Sequence, residues 1–392
     1  MNTSPSPLHP KHHYHHSLNE ILHFFAHFVK SNAVLVIAFL AALITSIIVP
    51  PDAKYLEYFD FCTLTCLFCT LAVICALKNI KFFTILAEKI VCLTGNMRTA
   101  AIALVYITFI GSMLIANDMA LLTFLPLGYF VLYCTSNEKH MAKLFVLQNI
   151  SANLGGMLTP FGNPQNLYLY SYFNIPTLEF MGIMVIPFAV SVILITLSCF
   201  LFPKTNLSLN ARTEGRLLQL KTAYYLFFFA LSIAIVFRLI PYYIGLPIIF
   251  LAILIVDRNA LKKVDYALLL TFIFFFIFAG NMGRIEAVRE LFSMLLEKNT
   301  LIFSVLSCQM ISNVPSAIML SQFTSNYADL LVGVNIGGTG TLIASLASLI
   351  TFRKYVSYNP GKSGYYLLRF SAFNFAFLMI LTAFSLFVGK IM

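Results

Sequence analysis

The chain has 392 residues, 60% hydrophobic and only 10% charged. A soluble globular domain carries about 25% charged residues, so a soluble protein is excluded and most of this surface faces lipid. The net charge of +10 is not a nucleic-acid footprint, because the basic residues lie in short loops between apolar runs, where they report topology.

The first 16 residues are polar and contain His9, His12, His13, His15 and His16. They read as a solvated tail rather than a metal site. The apolar run that follows is long enough to stay in the membrane, so no cleaved leader is expected. A hydrocarbon core takes about 20 apolar residues per helix. Full spans are expected at 32–49, 61–77, 177–201, 222–239, 243–256, 265–280 and 365–388, the run 243–256 being short. The runs 99–134, 140–172, 300–331 and 335–352 are interrupted by polar or Gly-rich motifs. Cys62, Cys66 and Cys69 share one helical face and read as packing residues, with no disulfide framework. Trp is absent, so Tyr55, Tyr58, Tyr242, Tyr243, Tyr365 and Tyr366 are expected to form the interfacial belt.

The tail and the loops 78–98, 135–143, 203–221, 257–263 and 352–362 hold 18 of the 25 Lys and Arg. The positive-inside rule puts these loops and the N-terminus in the cytoplasm. Nine crossings follow if 140–172 and 335–352 each cross once as broken helices while 99–134 and 300–331 enter and return, and the C-terminus then ends outside. Two amphipathic stretches, Lys78 to Met97 and Asn281 to Asn299, are expected to lie flat on opposite faces.

That opposition points to an inverted repeat. Phe59-Asp60-Phe61 opens one span and Val264-Asp265-Tyr266 opens its counterpart. The Gly-rich breaks align as well: 153–167 over 335–349 gives five identities in fifteen positions. The expected division is a cytoplasmic tail with an interfacial helix (1–30), a first repeat (31–202), a loop and connecting helix (203–240) and a second repeat (241–392). Paired broken helices in inverted repeats are the sequence pointer to a transporter binding site.

Four polar motifs interrupt the apolar runs. Asn117-Asp118 sits in the middle of 99–134, and Asp118 is the acidic residue expected within the membrane. A charge there is costly and calls for a partner, an ion or a proton. Two ordinary helices with Asn-Asp as an external turn are the alternative. Ser312-Asn313-Val314-Pro315-Ser316 occupies the equivalent place; Pro315 is expected to break a helix and Asn313 to bond freed backbone groups, or together they form a patched kink. The breaks 153–166 and 335–348 offer Gly155, Gly156, Gly337 and Gly338 for close backbone approach. Unwound backbone at this depth is tolerated against protein or a water-filled cavity. Arg369 near the end of the last span reads as a snorkelling residue. His140 is the one histidine after residue 27, so an intramembrane Ser–His or zinc hydrolase is disfavoured, and no Walker lysine motif supports ATP drive.

Asn-Asp-Met-Ala-Leu-Leu-Thr-Phe-Leu-Pro126, Gly-Asn-Pro-Gln-Asn166, Ser-Asn-Val-Pro315 and Asn335-Ile-Gly-Gly resemble signatures of the ion transporter superfamily. That superfamily holds the citrate and dicarboxylate permeases, the arsenite/anion permeases and sodium–proton antiporter relatives. The resemblance covers most of the chain. It implies an all-α polytopic fold with two re-entrant hairpins and two broken helices, a homodimer, and elevator-like movement. Sodium-coupled dicarboxylate members carry Ser-Asn-Thr at each hairpin tip. Here the tips read Ala116-Asn117-Asp118 and Ser312-Asn313-Val314, closer to the arsenite and citrate branches.

The expected function is secondary transport of a small anion, a citrate-like di- or tricarboxylate, coupled to a proton or sodium. Oxyanion efflux, sodium–proton exchange and a channel are the alternatives. The expected site comprises Asn117, Asp118, Asn153, Gly155, Gly156, Thr159, Gly162, Asn163, Asn166, Ser312, Asn313, Pro315, Asn335, Gly337, Gly338, Thr339, Thr341, Ser345 and Ser348. No cofactor is expected beyond the coupling ion. The expected partners are the anionic substrate, the bilayer of a bacterial inner membrane and a second copy of the chain.

Overall fold

The computed structural model describes residues 32–207 and 219–389. The His-rich tail and the middle of the basic loop, 208–218, lie outside them. The described residues are helical, with one isolated bridge between Asn96 and Asn206.

The stretch expected as the first repeat opens with an entry helix, α1 (Ala33–Ile48). That repeat runs through α2 (Phe61–Asn79), a short α3 (Phe82–Cys92), the hairpin α4 (Met97–Ile115) and α5 (Asn117–Cys134), the broken helix α6 (Met141–Gly155) and α7 (Pro164–Tyr172), and α8 (Thr177–Cys199). The connector α9 (Gln219–Val236) leads to α10 (Tyr242–Val256) and a turn of helix, α11 (Arg258–Lys262). The second repeat has α12 (Tyr266–Arg284), α13 (Glu286–Ile311), α14 (Asn313–Leu320), the broken helix α15 (Tyr327–Ile336) and α16 (Leu346–Tyr358), and α17 (Ser363–Gly389). α13 leaves helical geometry at Asn299, which separates a surface segment, 286–298, from the first arm of a second hairpin, 300–311. Among the described residues eight helices are long and apolar enough to cross a membrane, so the chain is a multi-pass membrane protein.

The repeat is visible in local chemistry. Asp60 caps α2 by accepting from the Thr63 N–H, and Asp265 caps α12 by accepting from the Leu268 N–H. The first hairpin opens with Asn96 accepting from the Thr99 N–H at 3.0 Å. The second opens with Asn299 accepting from the Ile302 N–H at 2.8 Å. The tips match in backbone as well: Ala116 has φ 64°, ψ 155° and Ser312 has φ 76°, ψ 158°. Non-glycine residues in this region cost of order 1–3 kcal/mol. In both tips the next residue, Asn117 or Asn313, turns its Oδ1 back to the following N–H at 2.9 Å.

The two copies run in opposite directions. α2 ends beside the α10–α12 loop, where Asn79 bonds Asp257 at 2.9 Å and Lys263 at 2.6 Å. α12 ends at the other face, where Arg284 holds Asp52 through two bonds of 3.0 and 2.8 Å. The basic loops gather at the first face: the Met97 N–H donates to Thr205 O, Lys143 to Leu201 O and Asn359 to Met141 Sδ. With both hairpins returning to the face they left, the described residues make nine crossings.

Some boundaries differ from expectation. Asn281 belongs to α12, buried and bonded to Thr45 and Ser46 on α1, so the surface segment begins at Glu286. The other surface helix is only Phe82–Cys92. Pro315 sits in the first turn of α14, where its missing N–H costs nothing, so it starts a helix rather than breaking one. Tyr366 is fully buried and stacks on Tyr355 at 4.6 Å, so it belongs to the core and not to an interfacial belt.

Candidate functional site

The two broken helices cross at their breaks. In each, an N-terminal half-helix ends at a Gly-Gly pair, a short coil follows, and a second half-helix starts from an extended residue. Those residues are Asn163 (φ −137°, ψ 146°) and Ser345 (φ −153°, ψ 142°). Neither side chain caps its own helix. Each reaches across to the other break instead. Ser345 Oγ donates to Asn153 Oδ1 at 2.8 Å, and Asn163 Nδ2 donates to Asn335 Oδ1 at 3.4 Å. Aligning 153 with 335 and 163 with 345 maps each of these bonds onto the other, so the pseudo-twofold axis passes through this crossing.

A dense amide network surrounds it. Gln165 Nε2 donates to Asn335 Oδ1 at 3.4 Å, and Asn335 Nδ2 donates to Asn166 Oδ1 at 2.6 Å and to Leu331 O at 2.8 Å. Asn166 Nδ2 gathers the unwound carbonyls of Gly156, Met157 and Thr159. Asn149 and Ser348 bond at 3.3 Å. The first hairpin tip joins through Asn117 Nδ2 to Asn153 Oδ1 at 3.2 Å, which places this tip at the break, midway along the crossing. The turn is therefore internal, not an external loop. The second tip joins through Ser312 Oγ to Ala344 O at 3.3 Å. Buried polar groups normally find partners, yet Asn153 Nδ2, Asn163 Oδ1, Gln165 Oε1 and Asp118 Oδ1 have none among the described residues.

A cavity of 840 Å³ opens on this crossing between α1, α12 and the second hairpin. Asn117, Asp118, Gln165, Ser312 and Asn313 form its polar end, while Phe275, Phe292, Leu296, Phe303 and Met310 line the remainder. Among the described residues no lysine or arginine lines it.

The glycines divide into two kinds. A Cβ on Gly155 would strike Phe109 O and Ser112 in α4, and one on Gly337 would meet Cys308 Sγ at 2.8 Å in α13. These first glycines pack each break against the entering arm of its own hairpin, so they are scaffold. The second glycines face the crossing: a Cβ on Gly156 would overlap Asn163 Oδ1, and one on Gly338 would lie 3.1 Å from Asn313 Nδ2. Gly162 packs against Gly156 O.

Other expected residues stand apart from the crossing. Thr339 Oγ1 bonds Ile336 O within its own turn, Thr159 Oγ1 bonds Met113 O at 3.4 Å, and Thr341 is held by Gln309. Gln309 is one of the residues missed by sequence reasoning. Its Nε2 donates to Gly337 O at 2.8 Å and Thr339 O at 3.1 Å while its Oε1 accepts from Thr341 N at 2.8 Å. Gln148, on α6, is another, donating to Thr108 Oγ1 at 3.0 Å and Phe124 O at 3.2 Å and so tying both arms of the first hairpin to α6. The missed signal was a neutral amide inside an apolar run, which must be bonded once buried. Gln309→Leu removes four bonds, the three to Gly337, Thr339 and Thr341 and one from Nε2 to Val305 O at 3.2 Å, at nearly constant volume and should cost about 2–4 kcal/mol. The check is the unfolding midpoint of the purified variant; an unchanged midpoint means this clasp carries no stability.

A family model of citrate transporters (CitMHS) matches residues 23–330. The chain belongs to the citrate transporter family. Relatives agree in kind with that membership. An uncharacterized transporter of Methanocaldococcus jannaschii, MJ0456, is 37% identical over 313 residues, covering 79% of this chain and 85% of its own. The inner membrane protein YbiR of Escherichia coli is 28% identical over 282 residues, covering 69% of this chain and 74% of its own. This citrate transporter family member is thus a membrane transporter, of a class that moves anions such as carboxylates, and the family is not one of enzymes.

Proposed function

We propose that the protein is a secondary active transporter of a di- or tricarboxylate of the citrate kind, moved together with a proton or sodium. The observation that carries this reading is the pair of half-helix N-termini, at Asn163 and Ser345, that meet uncapped at one buried crossing. Unspent N–H groups and the positive ends of two helix dipoles favour a carboxylate there. Asn153 Nδ2, buried without a partner among the described residues, adds a donor for the same anion. Neutral amides suit a substrate that must leave again, since a fixed arginine would hold it. Asp118 at the cavity's polar end supplies an acidic group for the coupling ion. The same reading includes a homodimer, an elevator-like movement and a cytoplasmic-membrane location with the N-terminus inside.

Counterflow in proteoliposomes tests it. Vesicles loaded with unlabelled citrate, succinate or malate should take up the labelled acid in a saturable overshoot. Absence of counterflow with every carboxylate, from protein that remains folded, would sink the proposal; single-channel currents would replace it with a pore.

A further inference from the structure

At the basic face, cations gather at the turn that follows α8, residues 200–202, with no carboxylate paired to them among the described residues. Arg98 Nε donates to Phe202 O at 2.8 Å, and its guanidinium lies 5.7 Å from the Phe200 ring. Lys143 Nζ donates to Leu201 O at 3.1 Å and lies 5.2 Å from the Phe202 ring. Arg369, from the start of α17, covers Tyr365 at 5.5 Å and is close enough for its charge to act on Lys143. Among the described residues none of the three forms an ion pair, and Glu138, the acidic residue of the adjoining loop, is exposed.

The helix terminus alone does not account for this gathering. The C-terminal end of a helix presents about half a negative charge, while two full positive charges bond the carbonyls just beyond it and Arg369 adds a third beside Lys143. His140 reports the same excess. Its ring packs 6.0 Å from Phe202, and its Nε2 is buried without a partner among the described residues. Burial first, then the charges of Lys139 and Lys143, hold the imidazole below its usual range.

Below the cations the surface turns apolar. Leu197 of α8, Phe200 and Leu201 just after it, and Leu368 of α17 are all exposed. A free phosphate would satisfy the cations and leave this surface uncovered. A phospholipid satisfies both, and basic pockets between membrane helices are a known way of holding such headgroups.

We propose that Arg98, Lys143 and Arg369 bind the phosphate of an anionic phospholipid whose acyl chains lie along α8 and α17. The site is separate from the crossing of the broken helices. It joins the start of the first hairpin, the start of α6 and the start of α17, so a bound lipid would tie three elements of the two repeats together at one face.

The test is binding of phosphatidylglycerol to the purified full chain in neutral detergent, read by native mass spectrometry and by thermal stability. Phosphatidylglycerol should remain bound and raise the melting midpoint, and phosphatidylcholine should do neither. Arg369→Gln is the decisive variant, because its side chain makes no hydrogen bond among the described residues and its loss should leave folding intact. It should weaken phosphatidylglycerol binding about fivefold, and the triple variant R98Q/K143Q/R369Q about a hundredfold. Equal phosphatidylglycerol binding by wild type and Arg369→Gln would overturn the proposal. Full stabilisation by inorganic phosphate alone would overturn it too, by making the site one for a free anion.

Discussion

Asp118→Asn should still exchange substrate for substrate but should no longer accumulate it against a gradient. Asp118 stands in the first turn of α5, beside the strained tip at Ala116, and lines the cavity next to Asn117 and Gln165. Its Oδ1 is buried without a partner, and among the described residues the ion pair is Asp52–Arg284 at the far face, so no cation compensates it. An uncompensated carboxylate at this depth is costly, and a proton or a bound cation removes that cost. Loading the ion and loading the substrate therefore favour the same state, which is the requirement for coupling.

The substitution to Asn keeps the size of the side chain, and the Asp118 N–H still has its bond to Asn117 Oδ1 at 2.9 Å, because that bond uses backbone. The binding network at the crossing does not include the Asp118 carboxylate, so exchange should continue. What is lost is the work done by the gradient. A potential of 100 mV is worth about 2.3 kcal/mol for each net charge carried, or roughly fifty-fold in accumulation. Uptake driven by pH and by sodium in vesicles, measured beside counterflow, separates the two. A variant that still concentrates substrate with unchanged ion dependence would make Asp118 a structural tip residue and return coupling to the amides of the crossing.

Much of this arrangement was legible in the sequence for one physical reason. Lipid exposes no partner to a polar group, so each polar interruption of an apolar run must be answered by another part of the same chain. Asn117, Asn153, Asn163, Asn335 and Ser345 stand out on those grounds, and all of them meet at the crossing. The matched Asp60 and Asp265 show the repeat because a cap is a local device readable from a few residues. What stayed hidden depends on rotation about helix axes. Gln165 and Gln309 are no more conspicuous than their neighbours until the helices place one on Asn335 and the other on three backbone groups of the second break. The different tasks of Gly155 and Gly156 are likewise invisible in a Gly-Gly pair. A single residue step, about 100° around the helix axis, sends the first toward α4 and the second toward Asn163.

That difference yields the other large effect. Gly156→Val should abolish transport while leaving a membrane-inserted protein. A Cβ at 156 would overlap Asn163 Oδ1 and lie 2.7 Å from Asn163 Cγ and from Gly162 O, so both the donor side chain and the coil behind it must move. Asn163 cannot move without releasing Asn335 and the Asn153 carbonyl, its two hydrogen-bond partners. Overpacking of this kind costs about 1–3 kcal/mol, which a chain with nine crossings survives. Misplacing a binding group by about 1 Å can cost on the order of a hundredfold in rate, which transport does not survive. Even Gly156→Ala should impair uptake strongly, because the first carbon already overlaps. The second break grades the argument. A Cβ at Gly338 meets Asn313 Nδ2 at 3.1 Å and Asn335 O at 3.3 Å, a fit that a few tenths of an ångström of movement would relieve. Gly338→Ala should therefore keep most activity, and Gly338→Val, whose extra methyls reach further, should lose it. Gly182→Ala is the control, since nothing lies within 4 Å of its Cβ. Uptake by the five variants at matched membrane abundance decides the matter: near-normal transport by Gly156→Val would mean that the break is not where the substrate sits.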